Sequence, residues 1–333
     1  MRKYFSLLLL SILLLSCGKH NYPKSPVVNL ILDTDMGPDY DDVGAMTVMY
    51  ALADSGQVNV LATLSSNKDE QVVPCIEVIN SYFNRPDMPV GAPKQDAPSL
   101  TSWHKKDKWT EHLPAKFKHK TSKTSDAPDA VQVYRQILSQ QPDTSVTICT
   151  IGFFSNLRYL LDSQPDQYSP LNGIELVKQK VKLLVSMAAE FPSGKGEFNV
   201  KCDAPAAKKV VEEWPGKIIF SGFEIGKDIL TGKEVAQMDV TDSPVKDAYQ
   251  MNLAQDNPEG RNSWDQTAVL VAIKGYEPYY KIKSGTIIID GTTGANQWTD
   301  DPAGKHAYLI KEMPEAKVTA ILENYMKHQP LKK

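Results

Sequence analysis

The most chemically distinctive feature of the chain is a group of five aspartates near its beginning. They lie within ten consecutive residues, at Asp33, Asp35, Asp39, Asp41 and Asp42. Carboxylates this close repel one another, and they are tolerated only where water disperses their charge or a cation neutralises it. Because hard oxygen ligands favour calcium or magnesium over zinc or copper, the cluster predicts a calcium or magnesium site.

The sequence on either side of the cluster indicates how it is positioned. Residues 27–32 form a short apolar run rich in β-branched side chains, which is typical of a buried strand. Apolar residues from Val43 to Ala53 follow helical spacing, and residues 58–64 return to a strand pattern. Strand, helix and strand in this order predict a parallel sheet, and open sheets of this kind bind ligands at the carboxyl ends of their strands. A merely solvated acidic loop is therefore disfavoured.

The same alternation continues along the chain and predicts an α/β fold, with a single open, mostly parallel, Rossmann-like sheet flanked by helices. Residues 86–124 have weak periodicity and many Lys and Pro residues, so we expect long loops with short helices, an arrangement that often forms a lid. No repeat or linker divides residues 27–330, which we expect to form one catalytic domain. Further strands are predicted at 145–150, 181–187, 217–222 and 285–290, and further helices at 72–83, 128–139 (capped by Asp126), 204–213, 267–273 and 317–326.

Two other interpretations of the aspartate cluster are open at this point. The alternating aspartates slightly resemble a calcium-binding EF-hand loop, but Gly37 stands one place early, no Glu closes the loop and a strand precedes it. Asp33-x-Asp35 after a strand also resembles the nucleophile motif of haloacid-dehalogenase-like phosphatases. Those enzymes have Thr or Val at the position of Gly37, and no convincing pair of Lys and Asp follows downstream in this chain. A phosphatase of that kind is therefore an alternative function.

The chain resembles the nucleoside hydrolases, whose hallmark is Asp-x-Asp-x-Gly followed closely by Asp-Asp at the end of the first strand. Asp33, Asp35 and Gly37 match the first part of this pattern, and Asp41-Asp42 match the second part after two additional residues. The order of the later segments extends the resemblance over the rest of the chain. These segments are Ser66-Asn67, Ile151-Gly152-Phe153-Phe154-Ser155-Asn156, Glu197-Phe198-Asn199, Asp203-Ala204 and Asp265.

The resemblance implies an enzyme that hydrolyses the N-glycosidic bond of ribonucleosides with the help of Ca2+, giving ribose and a free base. In this family pattern, the attacking water gives its proton to Asp35, which acts as general base. The implied ligands of Ca2+ are Asp35, Asp42, Asp265 and the backbone carbonyl of Ile151. The implied contacts to the ribose hydroxyls are Asp41, Asn67, Glu197 and Asn199.

Two departures from the family pattern bear on the substrate. The family usually has Gly-Asn shortly before Glu-Phe-Asn as a further ribose contact, but residues 187–196 contain no Asn. Trp264 stands directly before Asp265, where members that accept many bases have a His that assists the leaving base. Purine-preferring members carry Trp there and stack the base between aromatic rings, so we expect a purine preference with Trp264 as a catalytic residue. The residues that could assist it are Trp103 or Trp109 by stacking, and His104 or His112 by giving a proton.

The first residues are expected to target and anchor the chain. Arg2 and Lys3 precede an apolar run at residues 7–15, which is too short to cross a bilayer. The run ends in Leu-Leu-Ser-Cys-Gly at residues 14–18, which resembles a bacterial lipobox. We expect a signal peptide at 1–16, lipidation at Cys17 and a tether at 17–26. The protein would then be anchored through lipid to a membrane of the cell envelope and would face the periplasm.

Composition limits the partners of the chain. Its formal net charge of −3 argues against nucleic-acid binding, which needs a concentrated basic face. No CxxC or Cys/His spacing is present, so zinc is not expected. We expect a small nucleoside as substrate and, as the resemblance implies, a homo-oligomer. Because surface lipoproteins often bind solutes, a nucleoside- or ribose-binding protein without catalysis is the other alternative.

Overall fold

The computed structural model describes residues 27–331 of the chain. The predicted signal peptide, the lipidation site at Cys17 and the tether lie outside these residues. Within the described part, no helix combines the length and the apolar character needed to cross a membrane. The observed elements confirm the predicted α/β fold, in which one large, mostly parallel sheet is flanked by helices.

The large sheet contains ten of the strands found in residues 27–331, and the other two pair separately. The strands are β1 (Val28–Thr34), β2 (Val58–Ser65), β3 (Val90–Gly91), β4 (Val146–Thr150), β5 (Val181–Met187), β6 (Ser193–Gly194), β7 (Ile218–Ser221), β8 (Leu230–Thr231), β9 (Arg261–Asn262), β10 (Tyr280–Ile289), β11 (Asn296–Asp300) and β12 (His306–Lys311). Their order in the sheet is β3-β2-β1-β4-β5-β7-β12-β10-β11-β6. Neighbours from β3 to β12 are parallel, whereas β10, β11 and β6 are antiparallel to their neighbours. The carboxyl end of β1 therefore lies inside the parallel part of the sheet.

Helices follow most of the parallel strands. They are α1 (Asp41–Asp54), α2 (Val72–Tyr82), α3 (Trp109–Lys116), α4 (Ala130–Gln140), α5 (Ser155–Asp162), α6 (Gly173–Lys180), α7 (Phe198–Cys202), α8 (Ala204–Glu213), α9 (Phe223–Gly226), α10 (Lys233–Ala236), α11 (Pro244–Leu253), α12 (Trp264–Lys274) and α13 (Glu315–Met326). The segment predicted as long loops with short helices contains only β3, α3 and a 3-10 turn, Thr124–Asp126. This part of the prediction is confirmed.

Strand β1 shows how the sheet separates two apolar cores. Leu30 and Leu32 belong to one cluster of buried side chains, and Ile31 belongs to the other. All three side chains are fully buried, and burial of one aliphatic side chain contributes roughly 1.5–3 kcal/mol. Because successive side chains of a strand point to opposite faces, packing on both sides fixes β1 and the residues that follow it.

Helices α1 and α12 pack against each other and begin at the same end of the sheet. Both carry acidic residues in the first turn, Asp41 and Asp42 in α1 and Asp265 in α12. Helix N-termini favour nearby negative charge, so these positions suit carboxylates better than other parts of a buried helix. Two helices thus bring acidic residues from opposite halves of the chain to one place.

Two predicted elements differ from the structure, and several observed elements, among them helix α11, were not predicted. Helix α4 is capped by Asp129 and not by Asp126, because the Asp129 carboxylate accepts a hydrogen bond from the Val131 N–H at 2.9 Å. The late strand predicted at 285–290 begins earlier, at Tyr280, because residues 280–285 pair with β12. Helix α11 was not predicted, although Ser243 caps it and Pro occupies its first turn.

Candidate active site

The aspartate cluster forms one side of a cavity at the carboxyl end of β1. Asp33 and Thr34 end the strand, and Asp41 begins α1 after a loop of six residues, 35–40. The cavity has a volume of about 470 Å³. Its lining combines acidic, aromatic and basic side chains, namely Asp35, Asp39, Asp41, Trp103, Ile151, Met187, Glu190, Lys195, Gly196, Glu197, Phe198, Asn199, Phe223, Arg261, Trp264 and Asp265.

The carboxylates of the cluster are buried together, and this dominates the electrostatics of the cavity. Burial, followed by repulsion from the carboxylates of Asp42 and Asp39, raises the pKa of Asp35 well above its ordinary value. Burial and the charges of Asp41 and Asp42 raise the pKa of Asp265 in the same way. Charges that disfavour one another in a site of low polarity are stabilised by a cation placed among them.

Asp42 lies behind the cavity wall and has one oxygen without a partner. Its Oδ1 accepts a hydrogen bond from the Thr34 hydroxyl, whereas its buried Oδ2 has no hydrogen-bond partner among the described residues. Within residues 27–331, no three acidic, histidine or cysteine side chains are spaced to hold a metal ion as they stand. Leaving a buried carboxylate oxygen unpaired costs free energy that a cation would offset. The all-oxygen donor set is of the kind that calcium binds.

The predicted carbonyl ligand, Ile151, lies at the wall of the same cavity. Its carbonyl oxygen accepts a hydrogen bond from Asn199 Nδ2 at 3.3 Å. The next residue, Gly152, is required by packing, since a Cβ there would come within 2.4 Å of the backbone nitrogen of Asp35. The turn after β4 can therefore approach the aspartate loop closely only with glycine at this position.

Glu197 and Asn199 line the cavity as the resemblance to nucleoside hydrolases implies. Glu197 caps α7, where its carboxylate accepts hydrogen bonds from the backbone N–H groups of Ala189, Asn199 and Val200. Burial raises the pKa of Glu197 to about 7, against the lowering effect of these hydrogen bonds. Both side chains are thus held at fixed positions next to the aspartates.

Asn67 supports the aspartate loop and does not line the cavity. Its Nδ2 donates to the backbone carbonyls of Asp35 at 3.1 Å and Leu100 at 2.7 Å. Its Oδ1 accepts from the N–H groups of Asp69 and Leu100. All of its hydrogen-bonding groups are therefore occupied within the protein, and its contact to ribose stays a prediction. Asn67 connects the aspartate loop to the segment before α3.

Asp33 also has a structural role. Its carboxylate accepts hydrogen bonds from the Tyr134 hydroxyl at 2.8 Å and from Asn156 Nδ2 at 3.1 Å. Burial raises the pKa of Asp33 to about 7. The Asp203 carboxylate similarly accepts from the Phe154 N–H at 3.0 Å. Asp33 and Asp203 thus hold the turn after β4 in place beside β1.

The aromatic end of the cavity contains Trp103, Phe198, Phe223 and Trp264. Trp264 is held by a hydrogen bond from its Nε1 to the Phe223 carbonyl at 2.8 Å, and its ring stacks on that of Phe223 at 5.2 Å. Trp103 and Phe223 are exposed, at 52% and 37%. The cavity therefore has a flat aromatic wall beside its carboxylates.

Three other predicted helpers of the leaving base lie elsewhere. Trp109 is a core residue with no exposed surface. His104 is bound to Asp256 at 2.9 Å, and His112 lies 3.3 Å from Asp247. None of the three lines the cavity. A proton donor from the predicted lid is therefore absent from the described cavity wall.

Arg261 is the main cavity residue that sequence reasoning missed. Its Nε donates to Asp41 Oδ1 at 3.3 Å, and its Nη2 donates to Asp39. Burial opposes the charge of Arg261, but the two carboxylates outweigh it and raise the pKa of the guanidinium, which stays protonated. The guanidinium also lies over the rings of Trp264, Trp103 and Tyr40, at 5.1, 5.6 and 5.6 Å. No local pattern in the sequence signals this residue.

The segment that lacks the family's Gly-Asn is held by a different asparagine. The Asn296 side chain donates to the Glu190 carbonyl at 2.8 Å and accepts from the Glu190 N–H at 3.3 Å. Strand β6 in this segment also pairs with β11, at the edge of the large sheet. The shorter segment therefore owes its position to the antiparallel end of the sheet.

The chain matches the family model described as inosine-uridine preferring nucleoside hydrolase over residues 30–320. A search of curated protein sequences gave no match.

Solved structures with the same fold are similar over most of the chain. An inosine-uridine preferring nucleoside hydrolase from Bacillus anthracis has a TM-score of 0.67 at 14% identity, covering 90% of this chain and 99% of its own. An inosine-guanosine nucleoside hydrolase has a TM-score of 0.67 at 19% identity, covering 91% and 99%. A purine-preferring ribonucleoside hydrolase from Gardnerella vaginalis has a TM-score of 0.63 at 16% identity, covering 90% and 99%. The match over residues 30–320 shows that the chain belongs to the inosine-uridine preferring nucleoside hydrolase family and is a nucleoside N-ribohydrolase.

Proposed function

We propose that the chain hydrolyses purine ribonucleosides with the help of Ca2+. The observation that carries the proposal is the buried group of carboxylates at the cavity, in which burial and mutual repulsion raise the pKa of Asp35, Asp42 and Asp265 and one Asp42 oxygen has no partner among the described residues. Members of this family depend on a metal ion. The residues that would hold Ca2+ are Asp35, Asp42, Asp265 and the carbonyl of Ile151.

Bound Ca2+ would lower the pKa of a water molecule and orient it toward the sugar. Asp35 lines the cavity and would accept the proton of that water as it attacks C1′ of the ribose. The reaction passes through a state in which positive charge develops on the sugar ring, as in other glycoside hydrolyses. Nearby carboxylates stabilise that charge, which favours an acidic cavity over a neutral one.

Three side chains would position the ribose. Asp41, Glu197 and Asn199 line the cavity beside Asp35. Glu197 and Asn199 are held by backbone hydrogen bonds, and Asp41 by Arg261 and by the Asp265 N–H. Side chains that are fixed before the substrate arrives lose little entropy on binding, so they hold C1′ in line with the attacking water.

The aromatic wall supports a preference for purines. Trp103, Phe223 and Trp264 offer flat surfaces in the cavity that Asp35 also lines, and a fused purine ring covers more of such a surface than a pyrimidine. Two of the structurally similar proteins are described as an inosine-guanosine and a purine-preferring hydrolase. Stacking on this wall would hold the base while the glycosidic bond breaks.

A nucleoside panel tests the proposal. The chain from residue 25 is incubated with inosine, guanosine, adenosine, uridine and cytidine, with Ca2+ or with a chelator, and released ribose is measured. Fast release from purine nucleosides with Ca2+ is expected. A phosphate ester in the panel covers the phosphatase alternative, and tight nucleoside binding without release covers the binding-protein alternative. Cleavage of the phosphate ester, or tight nucleoside binding, with no release of ribose would contradict the proposal.

We also propose that lipid at Cys17 anchors the chain, facing the periplasm, and that the enzyme forms a homo-oligomer. The lipobox-like sequence before Cys17 supports the anchor. Labelled fatty acid should enter the wild-type protein and not Cys17→Ala. Light scattering of the chain from residue 25 should give a mass above that of one chain. Failure of labelling would contradict the anchor, and a single-chain mass would contradict the oligomer.

A further inference from the structure

Arg261 stands where the carboxylates of the cavity meet its aromatic rings. Its Nε donates to Asp41 at 3.3 Å, and its guanidinium carbon lies 5.1 Å from the centre of the Trp264 ring. A nucleoside joins a polar ribose to a flat aromatic base through one bond. With the ribose against the carboxylates and the base against the rings, that bond lies beside Arg261.

Other groups that could assist the departing base are placed differently. Arg261 and Lys195 are the basic residues among those described as lining the cavity. Lys195 is exposed and stands two residues before Glu197. Of these two cations, Arg261 is the one whose charged group lies over the aromatic rings of Trp103 and Trp264. It is also mostly buried, with 13% of its side chain exposed, so its charge is only weakly screened by water.

The guanidinium of Arg261 retains free donors. Its Nε and Nη2 are bound to Asp41 and Asp39. No residue within 27–331 accepts a hydrogen bond from Nη1. A guanidinium presents five N–H groups in a fixed plane, so two carboxylates leave part of this capacity for a ligand. Ring nitrogen and oxygen atoms of a base are suitable acceptors.

We infer that Arg261 is a catalytic residue that stabilises the negative charge of the base as the glycosidic bond breaks, an inference that rests on the proposed function. In this step, the water oxygen bonds to C1′ and its proton passes to Asp35. The bond between C1′ and the base nitrogen breaks, and its electron pair goes to the base. The base anion then takes a proton from the solvent, and Asp35 releases the proton that it accepted from the water to the solvent. Arg261 acts through charge and hydrogen bonds, because a guanidinium does not give up its proton.

Two substrates with different leaving groups separate this role from simple positioning. Inosine has a base that leaves poorly without help, whereas 4-nitrophenyl β-D-ribofuranoside releases a nitrophenolate that is stable as an anion. The full chain, purified in detergent with Ca2+, is compared with Arg261→Gln. Loss of one donor to a developing anion typically lowers the rate by about 100-fold, so kcat/KM for inosine should fall by about that factor. The value for the nitrophenyl riboside should fall by less than about fivefold, because its leaving group needs no such stabilisation.

Two control variants sharpen the comparison. Arg158→Gln makes the same substitution outside the cavity and should leave kcat/KM for inosine and for the nitrophenyl riboside unchanged. Asp39→Asn removes one ion-pair partner but keeps the cation, so the ratio of the two values should stay as in the wild type. If Arg261 served only to hold the aspartate loop through Asp39, Asp39→Asn and Arg261→Gln would each lower kcat/KM for the two substrates by similar factors.

The outcomes distinguish the inference from the proposed function. Equal losses of both substrates in a folded Arg261→Gln protein, or no loss of either, would overturn the role of Arg261 while leaving the hydrolase intact. A wild type that cleaves neither substrate would overturn the proposed function and this inference with it. If Arg261→Gln does not fold, Arg261→Lys decides between the same outcomes, since it keeps the charge and loses the planar donors. A larger loss on inosine supports the inference, and equal losses contradict it.

Discussion

The backbone N–H of Asp265 donates a hydrogen bond to Asp41 Oδ2 at 3.3 Å, across 224 positions of the sequence. The bond joins the first turns of α1 and α12, which bring acidic side chains from both halves of the chain into one cavity. A cation bound at this cavity, as we propose, would therefore stabilise contacts that exist only in the folded protein.

The first prediction is that Ca2+ raises the melting temperature. A ligand present at about 100 times its Kd stabilises the folded state by about 2.7 kcal/mol, which corresponds to a rise of roughly 5 °C for a chain of this size. Asp35→Asn and Asp265→Asn should each remove most of this rise. Differential scanning calorimetry with Ca2+ or with chelator measures it. An identical melting temperature under both conditions would refute the metal site.

The second prediction concerns the close contact between Gly152 and the Asp35 backbone. A Cβ at Gly152 would lie 2.4 Å from the Asp35 nitrogen, so Gly152→Ala must displace the aspartate loop. Because a shift of about 1 Å at the reacting groups costs on the order of 100-fold, kcat should fall by about that factor. Gly216→Ala is a matched control, since a Cβ there meets its nearest atom at an ordinary 3.6 Å. Similar activity of the two variants would show that the contact does not matter.

The extent to which such contacts could be predicted depended on their distance along the sequence. The aspartate loop, the strand before it and the helix after it are local, and their patterns predicted both the fold and the position of the cavity. Arg261 could not be predicted, because its pairing with Asp39 and Asp41 spans more than two hundred positions. Asn67 has the residue type of a ligand contact, but its amide is used by backbone groups that only the folded chain brings near.

Helix α11 is a different case, because a signal for it was present. Its buried residues Val245, Ala248, Tyr249 and Leu253 follow helical spacing, and Ser243 and Pro244 form a typical helix start. The pattern is short and interrupted by polar residues. In the fold, these side chains are buried against neighbours from other parts of the chain. One of them is Tyr40, whose ring meets the Tyr249 ring edge-on at 5.3 Å.

The third prediction concerns the aromatic wall. Trp264→Ala removes the ring that stacks on Phe223, so it should lower kcat/KM for inosine more than for uridine. A stacked aromatic pair contributes about 0.5–1.5 kcal/mol beyond area burial, which corresponds to a shift of roughly 2- to 13-fold in the ratio of the two values. The Ca2+-dependent rise in melting temperature should survive and serves as the control. Equal losses on both nucleosides would indicate that Trp264 only packs.

The fourth prediction concerns pH and the buried His306 on β12. Burial, with the charge of Lys305, lowers the pKa of His306 from 6.5 to about 4 in the folded protein. The neutral imidazole is therefore favoured by folding, and its contribution to stability is complete above pH 6.5 and is lost as pH falls toward 4. Between pH 7.5 and 5, this loss amounts to about 2 kcal/mol.

His306→Asn isolates that contribution, because its amide oxygen can replace Nδ1 as acceptor for the Ile287 N–H. Urea unfolding of both proteins at several pH values gives the difference in their free energies of unfolding. Other titrating groups, such as Asp33 and Glu197, act equally in both proteins and cancel. The wild type should lose more stability than the variant on acidification. Parallel pH profiles would contradict the assignment.

The most direct measurement is ribose release from inosine by the wild type with Ca2+, by the wild type with chelator, and by Asp35→Asn with Ca2+. Asp35 lines the cavity, and we propose that it is both a ligand of Ca2+ and the proton acceptor. We predict steady release in the first sample and losses of at least about 1000-fold in the other two. Release that persists undiminished with chelator or in Asp35→Asn would contradict Ca2+-dependent hydrolysis at the aspartate cluster.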